Sequence, residues 1–369
     1  MKIFIDARMI YKSGIGRYIR EILKNIATLE KDTIFYLAGN SNEIKKFICS
    51  NKVFNRRNHI INYDIPIYSL KEPLSGSVLN YRYKKNIDVF FSPHYNVPFY
   101  LPENSVITIH DLIHFKFPQY FGSLKVKFAK IVLSNGVKKA KRIIVDSNST
   151  AKDLRSMFPG IENKIEVVNI GVSKSFSVLD NKKVADFKRK NKLNNYILYI
   201  GNKKPHKNLK GIAEAYINVK KTFKDLKLVI IGKKFKDLDV RNMFKNKVDL
   251  TDVIELENIP DNEIVYYYNG ASAFVFPSFY EGFGLPPLEA MACGCPVIVS
   301  DTSSLPEICG DGAYYVDPGC VNSITRGIYD ILSDEDLQKN LISKGLERTN
   351  LFNWEKAAKK TLNIFKELL

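Results

Sequence analysis

Two glutamates eight residues apart lie in the stretch FVFPSFYEGFGLPPLEAM, which spans residues 274 to 291. Glu281 follows an apolar run and precedes a Gly-Phe-Gly turn, whereas Glu289 follows Pro286 and Pro287. Proline fits the first turn of a helix and disrupts a helix interior, so the prolines predict a helix start with Glu289 in its opening turn. Ionised carboxylates accept paired hydrogen bonds, which suits the vicinal hydroxyls of a ribose or a hexose.

The glycines of the same stretch have a separate consequence. They leave the backbone N–H groups of Phe283, Gly284 and Leu285 free to approach a ligand closely. We therefore expect carboxylates and backbone amides to meet one polar ligand here.

A basic loop, GNKKPHKNL, connects a second apolar run to the helix that follows it. It begins at Gly201 and carries Lys203, Lys204 and Lys207 within a few residues. Such a cluster repels itself unless it is solvated or faces an anion, and a helix N-terminus adds positive potential. The loop therefore predicts phosphate binding.

Two further loops near the N-terminus carry candidate residues. Gly14 and Gly16 lie at a helix start in KSGIGRY, followed by Arg17, and this pattern fits either phosphate binding or a plain turn. His110 ends the apolar run of TIHDLIHF, where it is either a hydrogen-bonded structural residue or a functional group.

Length and composition limit the class of protein. A chain of 369 residues exceeds what one hydrophobic core usually supports, and its 45% of hydrophobic residues is enough for two. No window approaches the ~18 apolar residues of a membrane span, and Asp6 and Arg8 stand where a signal peptide would be apolar. Five cysteines, an odd number, indicate reduced thiols that pack rather than bind zinc. We expect a cytoplasmic protein.

The formal net charge of +17 indicates an anionic partner, although a compositionally biased genome would also produce it. Basic residues alternate with apolar ones in two segments, which predicts docking on an anionic membrane surface. A solvated helix face is the alternative. The basic residues of these segments are Arg82, Lys84, Lys85, Lys125, Lys127, Lys130, Lys138, Lys139, Lys141 and Arg142. Nucleic-acid binding has only the net charge in its favour, because no recognition motif appears.

Short apolar runs alternate with amphipathic stretches, which is typical of parallel sheets covered by helices. The runs span residues 2–6, 33–39, 88–93, 105–111, 142–147, 196–201, 226–232, 252–256, 273–278 and 295–301. Both halves open with a strand, a glycine-bearing basic loop and a helix, so we predict two doubly wound α/β domains joined by a polar linker near residues 172–185.

Several segments together carry a resemblance to a known family. FPSFYEGFGLPPLEAMACGCPVIVSDTSSLPEICGDGA resembles the signature of the retaining glycosyltransferases of family 4, with the E-x7-E pair at Glu281 and Glu289. GNKKPHKN is similar to the basic diphosphate loop of that family, and DARMIYKSGIGRYIREI and IHDLIHFKFP are similar to its N-terminal elements. The resemblance covers nearly the whole chain.

The resemblance implies a GT-B fold, in which two Rossmann-like domains face each other across a cleft. The first domain would comprise residues 1–175 with a returning C-terminal helix, 353–369. The second, residues 176–352, would hold the nucleotide sugar. No cofactor and no metal are implied. Two D-x-D matches, at Asp237 with Asp239 and at Asp334 with Asp336, are interpreted as surface residues.

The resemblance also implies a role for each residue. Glu289 would bind the ribose, Glu281 the sugar hydroxyls, and His110 would orient or polarise the donor sugar. Lys207 would stabilise the departing diphosphate. Where the family often has Pro-Arg-Lys this chain has Pro-His-Lys, so either Lys203 or Arg17 would supply the second positive charge.

The implied reaction is front-face transfer with retained configuration, because no side-chain nucleophile is evident. The motifs are most similar to those of mannosyltransferases, so GDP-mannose is the favoured donor, with UDP- and dTDP-sugars open. The expected acceptor is a lipid-linked glycan of surface-polysaccharide or O-antigen synthesis, reached from the inner face of the cell membrane. A sugar-nucleotide 2-epimerase of the same fold is the alternative enzyme.

Overall fold

The computed structural model describes residues 1–54, 57–67, 69, 71–233 and 240–369, except for the side chains of residues 13 and 241. The chain divides into two compact units, Met1–Gly171 with Asn353–Leu369, and Val172–Phe352. Each unit is built on one parallel sheet, with helices in most of the connections between successive strands. The α/β class predicted from the alternating pattern is confirmed.

Within its described residues, the first unit has a seven-stranded sheet in the order β3-β2-β1-β4-β5-β6-β7. Its strands are β1 (Lys2–Asp6), β2 (Ile34–Gly39), β3 (His59–Asn62), β4 (Val89–Ser92), β5 (Ser105–Ile109), β6 (Arg142–Val145) and β7 (Ile165–Val167). Its helices are α1 (Ser13–Leu29), α2 (Ser41–Cys49), α3 (Glu72–Tyr83), α4 (Ile113–Lys116), α5 (Ser123–Lys139) and α6 (Asn148–Met157).

The described part of the second unit has a six-stranded sheet in the order β10-β9-β8-β11-β12-β13. Its strands are β8 (Tyr196–Ile200), β9 (Lys227–Ile231), β10 (Val253–Leu256), β11 (Ala273–Phe276), β12 (Val297–Ser300) and β13 (Ala313–Val316). Its helices are α7 (Asn181–Asn191), α8 (Leu209–Lys220), α9 (Val240–Phe244), α10 (Asp261–Gly270), α11 (Leu285–Ala292), α12 (Leu305–Cys309), α13 (Val321–Ser333) and α14 (Glu335–Thr349).

Apolar runs form the central strands because both faces of a parallel sheet are covered by helices. Every residue of β4, β5, β11 and β12 is buried. Every strand predicted from the sequence is present, with ends that differ by at most two residues. Part of the polar segment interpreted as a linker is helical instead, because Asp180 caps α7 by accepting the backbone N–H groups of Lys182 and Lys183.

The strand order reverses at the same point in each sheet. Chain order runs outward from β1 in one direction and restarts at β4 in the other, and β8 and β11 repeat this arrangement. In open parallel sheets, ligands bind beyond the carboxyl ends of the strands at such a switch point. Ligands are therefore expected at the loops after β1, β4, β8 and β11.

The last helix, α15 (Trp354–Lys366), belongs to the first unit. Phe365 is fully buried with its ring centroid 5.1 Å from that of Phe91 in β4, and the ring of Trp354 lies 6.3 Å from that of Tyr18 in α1. The contact is tight at Gly171, where a Cβ atom would lie 2.2 Å from the backbone nitrogen of Trp354. In the described part of the chain, we find no helix with the length and apolarity that a bilayer crossing demands.

Replacing Phe365 with alanine tests this packing. Loss of a buried phenyl ring costs about 3–5 kcal/mol of unfolding free energy. Native-state hydrogen exchange at the amides of β1 and β4 should report a reduction of that size. The exposed Leu369→Ala variant is the control and should change the same amides by less than about 0.5 kcal/mol. Equal protection in both variants would contradict the placement of α15.

Candidate active site

The switch point of the second sheet brings two of the predicted loops together. Strands β8 and β11 pair directly, with Ile197 opposite Ala273 and Leu198 opposite Phe274. Lys207 follows β8 and Glu281 follows β11, so their loops leave the sheet side by side.

The basic loop after β8 turns back sharply. A 3₁₀ turn, Pro205–Lys207, ends at Asn208, which adopts the left-handed conformation with φ of 58°. The side chain of Asn208 caps α8 by accepting the N–H of Gly211 and donates to the carbonyl of Pro318 at 2.7 Å. The carbonyl of His206 accepts the N–H of Phe279 at 2.8 Å, which ties this loop to the one after β11.

Lys207 and Glu281 form an ion pair at this point. The Nζ atom of Lys207 lies 2.5 Å from Oε1 and 2.7 Å from Oε2 of Glu281, and 5.0 Å from the ring centroid of Phe276. Both side chains are about nine-tenths buried. Removing one member of such a pair would leave an uncompensated charge in a largely buried position.

Two serines that the sequence analysis did not single out hold the backbone of Glu281. The hydroxyl of Ser303 accepts the N–H of Glu281 at 2.8 Å and donates to its carbonyl oxygen. The hydroxyl of Ser304 lies 3.0 Å from that carbonyl and 2.7 Å from the carbonyl of Phe283. Ser303 has a φ of 61°, which is unusual for a residue with a side chain.

The turn after Glu281 depends on Gly284. Its φ is 109°, and a Cβ atom there would lie 2.7 Å from the side chain of Leu305. Gly284 precedes α11, whose second and third residues are the two prolines, as predicted. The first four N–H groups of a helix have no acceptor within the helix. Two of these four positions are prolines here, which have no N–H, so the N–H groups of Gly284 and Leu285 are the ones that can meet a ligand. The ring of Phe283 packs against Phe352 at 5.7 Å.

Glu289 is the fifth residue of α11, one turn further in than predicted. The helix already begins at Leu285 on the left-handed Gly284, so the prolines occupy its first turn and push the acid into the second. Glu289 is buried, and its Oε2 atom accepts a hydrogen bond from the hydroxyl of Tyr268 at 3.2 Å.

Lys203 points away from the Lys207–Glu281 pair. Its side chain is fully buried and pairs with Glu255, at the end of β10. Gly201 lies where a Cβ atom would come within 2.9 Å of the hydroxyl of Tyr199. The structure therefore unites Lys207 with Glu281 and places Lys203 elsewhere in the loop, and the donor-binding roles of Lys203 and Gly201 stay predictions.

In the first unit, His110 is held at both ring nitrogens. Nδ1 lies 2.6 Å from Oδ2 of Asp146 and Nε2 lies 2.9 Å from the carbonyl oxygen of Pro93. A neutral imidazole has one N–H, so only the imidazolium can donate to both acceptors. Burial lowers the pKa of His110, but the Asp146 carboxylate and the Pro93 carbonyl outweigh it and raise the pKa above its usual value.

The predicted glycine loop lies at the start of α1. A Cβ atom on Gly16 would come within 2.6 Å of the carbonyl oxygen of Met9, so this glycine permits close packing of the helix on the loop. Gly14 has open space around its Cα, and Arg17 is partly buried. The donor-binding roles of Gly14, Gly16 and Arg17 stay predictions.

The switch point of the first sheet contains a buried charge network that sequence reasoning missed. Arg8 pairs with Asp6 at 2.5 Å and with Glu72 at 2.7 Å, and Asn96 donates to Glu72. His94, just after β4, lies 3.4 Å from Asp6. Burial acts to raise the pKa of Asp6, but Arg8 and His94 hold it well below its usual value. This network ties the end of β1 to the start of α3.

No cluster of metal-binding side chains occurs among the described residues. Cys293, Cys295 and Cys309 are buried, and burial raises the pKa of each thiol. Asp334 caps α14 through the N–H of Asp336 at 3.0 Å, which explains that D-x-D match structurally. The other match, at positions 237 and 239, lies outside the described residues.

Comparison with known proteins places this geometry in a family. Residues 12–176 match the model of Glycosyltransferase Family 4, and residues 180–348 match that of Glycosyl transferases group 1. The chain is 30% identical over 375 residues to the O-antigen chain mannosyltransferase B of Escherichia coli, and the match covers 96% of each chain. The chain belongs to the family 4 glycosyltransferases.

Other relatives of this family 4 glycosyltransferase agree. It is 32% identical over 228 residues to the O-antigen chain mannosyltransferase RfbU of Salmonella typhimurium, which covers 61% of this chain and 59% of the relative. The solved sucrose-phosphate synthase of Thermosynechococcus elongatus is 18% identical, with a TM-score of 0.79 over 100% of this chain and 98% of that one. The predicted GT-B fold of two Rossmann-like units is confirmed. The comparisons support neither the 2-epimerase nor the nucleic-acid-binding alternative.

Ser303→Ala should lower kcat/KM for glycosyl transfer about tenfold, because two hydrogen bonds that position Glu281 are lost. Ser303→Gly tolerates the left-handed backbone but lacks the hydroxyl, so it should lose activity as well. Ser323→Ala, which removes a serine that binds the N–H of Asp317, is the matched control. A Ser303→Gly enzyme with the wild-type rate would show that the hydroxyl has no positioning role.

The His110–Asp146 pair predicts a pH dependence of stability in the first unit. A raised pKa of His110 in the folded state adds stability at pH values below about 6.5, the pKa of histidine in an unfolded chain. This added stability is lost as the pH rises through the pKa of His110 in the folded protein. His110→Gln should lack that component. Urea unfolding across this range, with NMR titration of the His110 ring proton assigned through the variant, measures both. A His110 titration midpoint at or below about 6.5 would contradict the ion pair.

Proposed function

We propose that the chain transfers mannose, with retained anomeric configuration, from GDP-mannose to a hydroxyl of a lipid-linked glycan acceptor in surface-polysaccharide synthesis of the O-antigen type. The observation that carries the proposal is the Lys207–Glu281 pair at the switch point of the second sheet. The names of the mannosyltransferase relatives support the choice of sugar and pathway type. UDP-sugars are the second donor class to test.

The pair can bind a donor without separating. An ammonium group has three N–H donors, and the two oxygens of Glu281 engage at most two of those of Lys207. The third is available to a phosphate oxygen. The Glu281 carboxylate retains further lone pairs for sugar hydroxyls. One compact pair therefore presents a cation to the diphosphate and an anion to the sugar.

The remaining groups of the site suit the rest of a nucleotide sugar. The amides of Gly284 and Leu285 at the start of α11 suit phosphate or sugar oxygens, since a helix N-terminus attracts negative charge. Glu289 is oriented by Tyr268 and suits the ribose hydroxyls. His110 of the first unit is proposed to act through its positive charge, because its two N–H groups are already held by Asp146 and Pro93.

The reaction needs no covalent enzyme intermediate in this proposal. The bond from C1 of the sugar to the phosphate oxygen breaks, and a bond from C1 to the acceptor oxygen forms on the same face. The acceptor proton passes to the departing phosphate oxygen. Lys207 stabilises the negative charge that develops there, which makes its contribution largest in the transition state. Cation chemistry is thus supplied by a side chain, and we propose that the enzyme is independent of metal ions and of cofactors.

Donor identity is tested first, because it requires no acceptor. A ligand at about a hundredfold its Kd adds ~2.7 kcal/mol of stability, so thermal unfolding should shift upward with GDP-mannose and less with UDP-glucose or a dTDP-sugar. Stabilisation by UDP-glucose alone would overturn the proposed donor.

Lys207→Ala should lower kcat by roughly 10² to 10³, because it removes the charge that stabilises the leaving diphosphate. Transfer from labelled GDP-mannose to an octyl mannoside, together with acceptor-independent hydrolysis of the donor, measures the rate. Lys210→Ala, an exposed lysine of α8, is the matched control and should retain wild-type activity.

Three further measurements test metal dependence, the anomeric configuration of the product and the choice between transfer and isomerisation. Full activity in EDTA supports independence from metal, and complete loss contradicts it. NMR of the product reports the anomeric configuration, and an inverted product contradicts front-face transfer. Isomerised nucleotide sugar formed without acceptor would contradict transfer itself.

A further inference from the structure

Helix α3 presents an apolar stripe to solvent. Leu74, Val78 and Tyr81 are 66%, 71% and 63% exposed, and their spacing of four and three residues places them on one helix face. Lys71 and Lys85, exposed at the two ends of this segment, extend the same face at the same spacing. Large apolar side chains aligned in this way between lysines mark an interaction surface.

Helix α5 repeats this pattern. Leu124 and Ile131 are 80% and 57% exposed and lie seven residues apart, on one helix face. Lys127 lies between them on that face, and Lys138 continues it one heptad beyond Ile131. The opposite side of α5 is buried in the core of the first unit through Val132, Leu133 and Val137.

The two helices are held on either side of one chain segment, residues 98–100. Ser77 of α3 accepts a backbone N–H of this segment at 2.9 Å. Asn135 and Lys139 of α5 donate to its carbonyl groups at 3.1 and 2.6 Å. Right-handed crossovers to β4 and to β6 also place α3 and α5 on the same side of the sheet. The two stripes therefore form one surface, the α3–α5 face, defined by Leu74, Val78, Tyr81, Leu124, Lys127 and Ile131.

The charge of this face has one sign. Residues 112–142 contain eight lysines and arginines and no aspartate or glutamate. In residues 71–87 the acid is Glu72, which is buried and paired with Arg8. The Nζ atom of Lys84 lies 3.9 Å from the ring centroid of Tyr81, and such pairs of aromatic and basic residues suit a membrane–water interface.

We propose that the α3–α5 face docks on an anionic lipid bilayer. This proposal rests on the proposed function only because a lipid-linked acceptor would be presented at such a bilayer. Apolar side chains enter the interface while the lysines between them contact lipid phosphates. A second copy of the chain fits this face poorly, because its own α3–α5 face carries the same charge. Glu72 anchors the start of α3 to Arg8 and Asn96, so the face is held by the fold before it meets a membrane.

The test is cosedimentation of the full chain with vesicles of phosphatidylcholine alone or with about one third phosphatidylglycerol. Wild type should bind the anionic vesicles and lose affinity as salt rises. Lys127→Gln with Lys138→Gln should weaken binding about 25-fold, since each lysine near the surface contributes a factor of about five. Leu74→Ser with Val78→Ser should weaken binding about tenfold or more, at low salt and at high salt alike, because the contribution of apolar side chains does not depend on salt.

Matched controls lie on α15 and at the C-terminus. Lys356→Gln with Lys359→Gln removes two exposed lysines, and Leu369→Ser removes an exposed leucine, and each should bind as wild type does. Circular dichroism of every variant establishes that it folds. Equal binding of wild type to both vesicle types, or wild-type binding by the α3–α5 variants, overturns the proposal.

Two further readouts separate the alternatives. If the wild-type protein does not bind vesicles but self-associates, and Leu74→Ser with Val78→Ser abolishes the self-association, lipid docking is overturned and the face is assigned to a second copy. GDP-mannose stabilisation, measured in parallel, is independent of this face. Stabilisation without vesicle binding counts against docking alone, and vesicle binding without stabilisation counts against the proposed donor alone.

Discussion

A lysine and a glutamate that are both largely buried, Lys207 and Glu281, must be held in contact beyond the ends of two neighbouring strands, and the architecture of the second unit serves this constraint. Burying either charge alone is costly, so the backbone around each must be rigid enough to keep the pair intact. Asn208 provides that rigidity on one side through its left-handed turn and its bond to Pro318. Ser303 and Ser304 provide it on the other by binding the backbone of Glu281.

In the first unit, different residues compensate the charges that are buried at the switch point. At its switch point Arg8 satisfies two acids, and Asp146 pairs with His110 at the neighbouring strands β5 and β6. The same strand order thus carries a cation–anion pair suited to a diphosphate and a sugar in the second unit, and a compensated buried network in the first. Fold and chemistry are separable here, since the same strand order around the switch point positions unlike side chains.

Among the described residues, the central strands were predictable from their apolar runs, whereas three of the four edge strands were missed, the exception being β10. The strands β3, β7 and β13 did not appear in the sequence pattern, and among the described residues each forms an edge of its sheet. An edge strand of a parallel sheet is partly exposed, so its residues need not be continuously apolar: β3 reads His-Ile-Ile-Asn and has no fully buried residue. Propensity identifies a strand most readily when the sheet covers both of its faces.

The sequence by itself determined the elements and their local chemistry: the central strands, the proline-initiated α11, the glycine at its start, and the acid and lysine in the loops before their helices. Only the tertiary structure decided which side chains meet. Lys207, and not Lys203, contacts Glu281, 74 residues away, while Lys203 turns to Glu255, and Tyr268 and Ser303 support the two acids from other elements. Partner choice depends on strand order, which places β8 beside β11 across 72 residues of intervening chain, and local spacing carries no record of that adjacency.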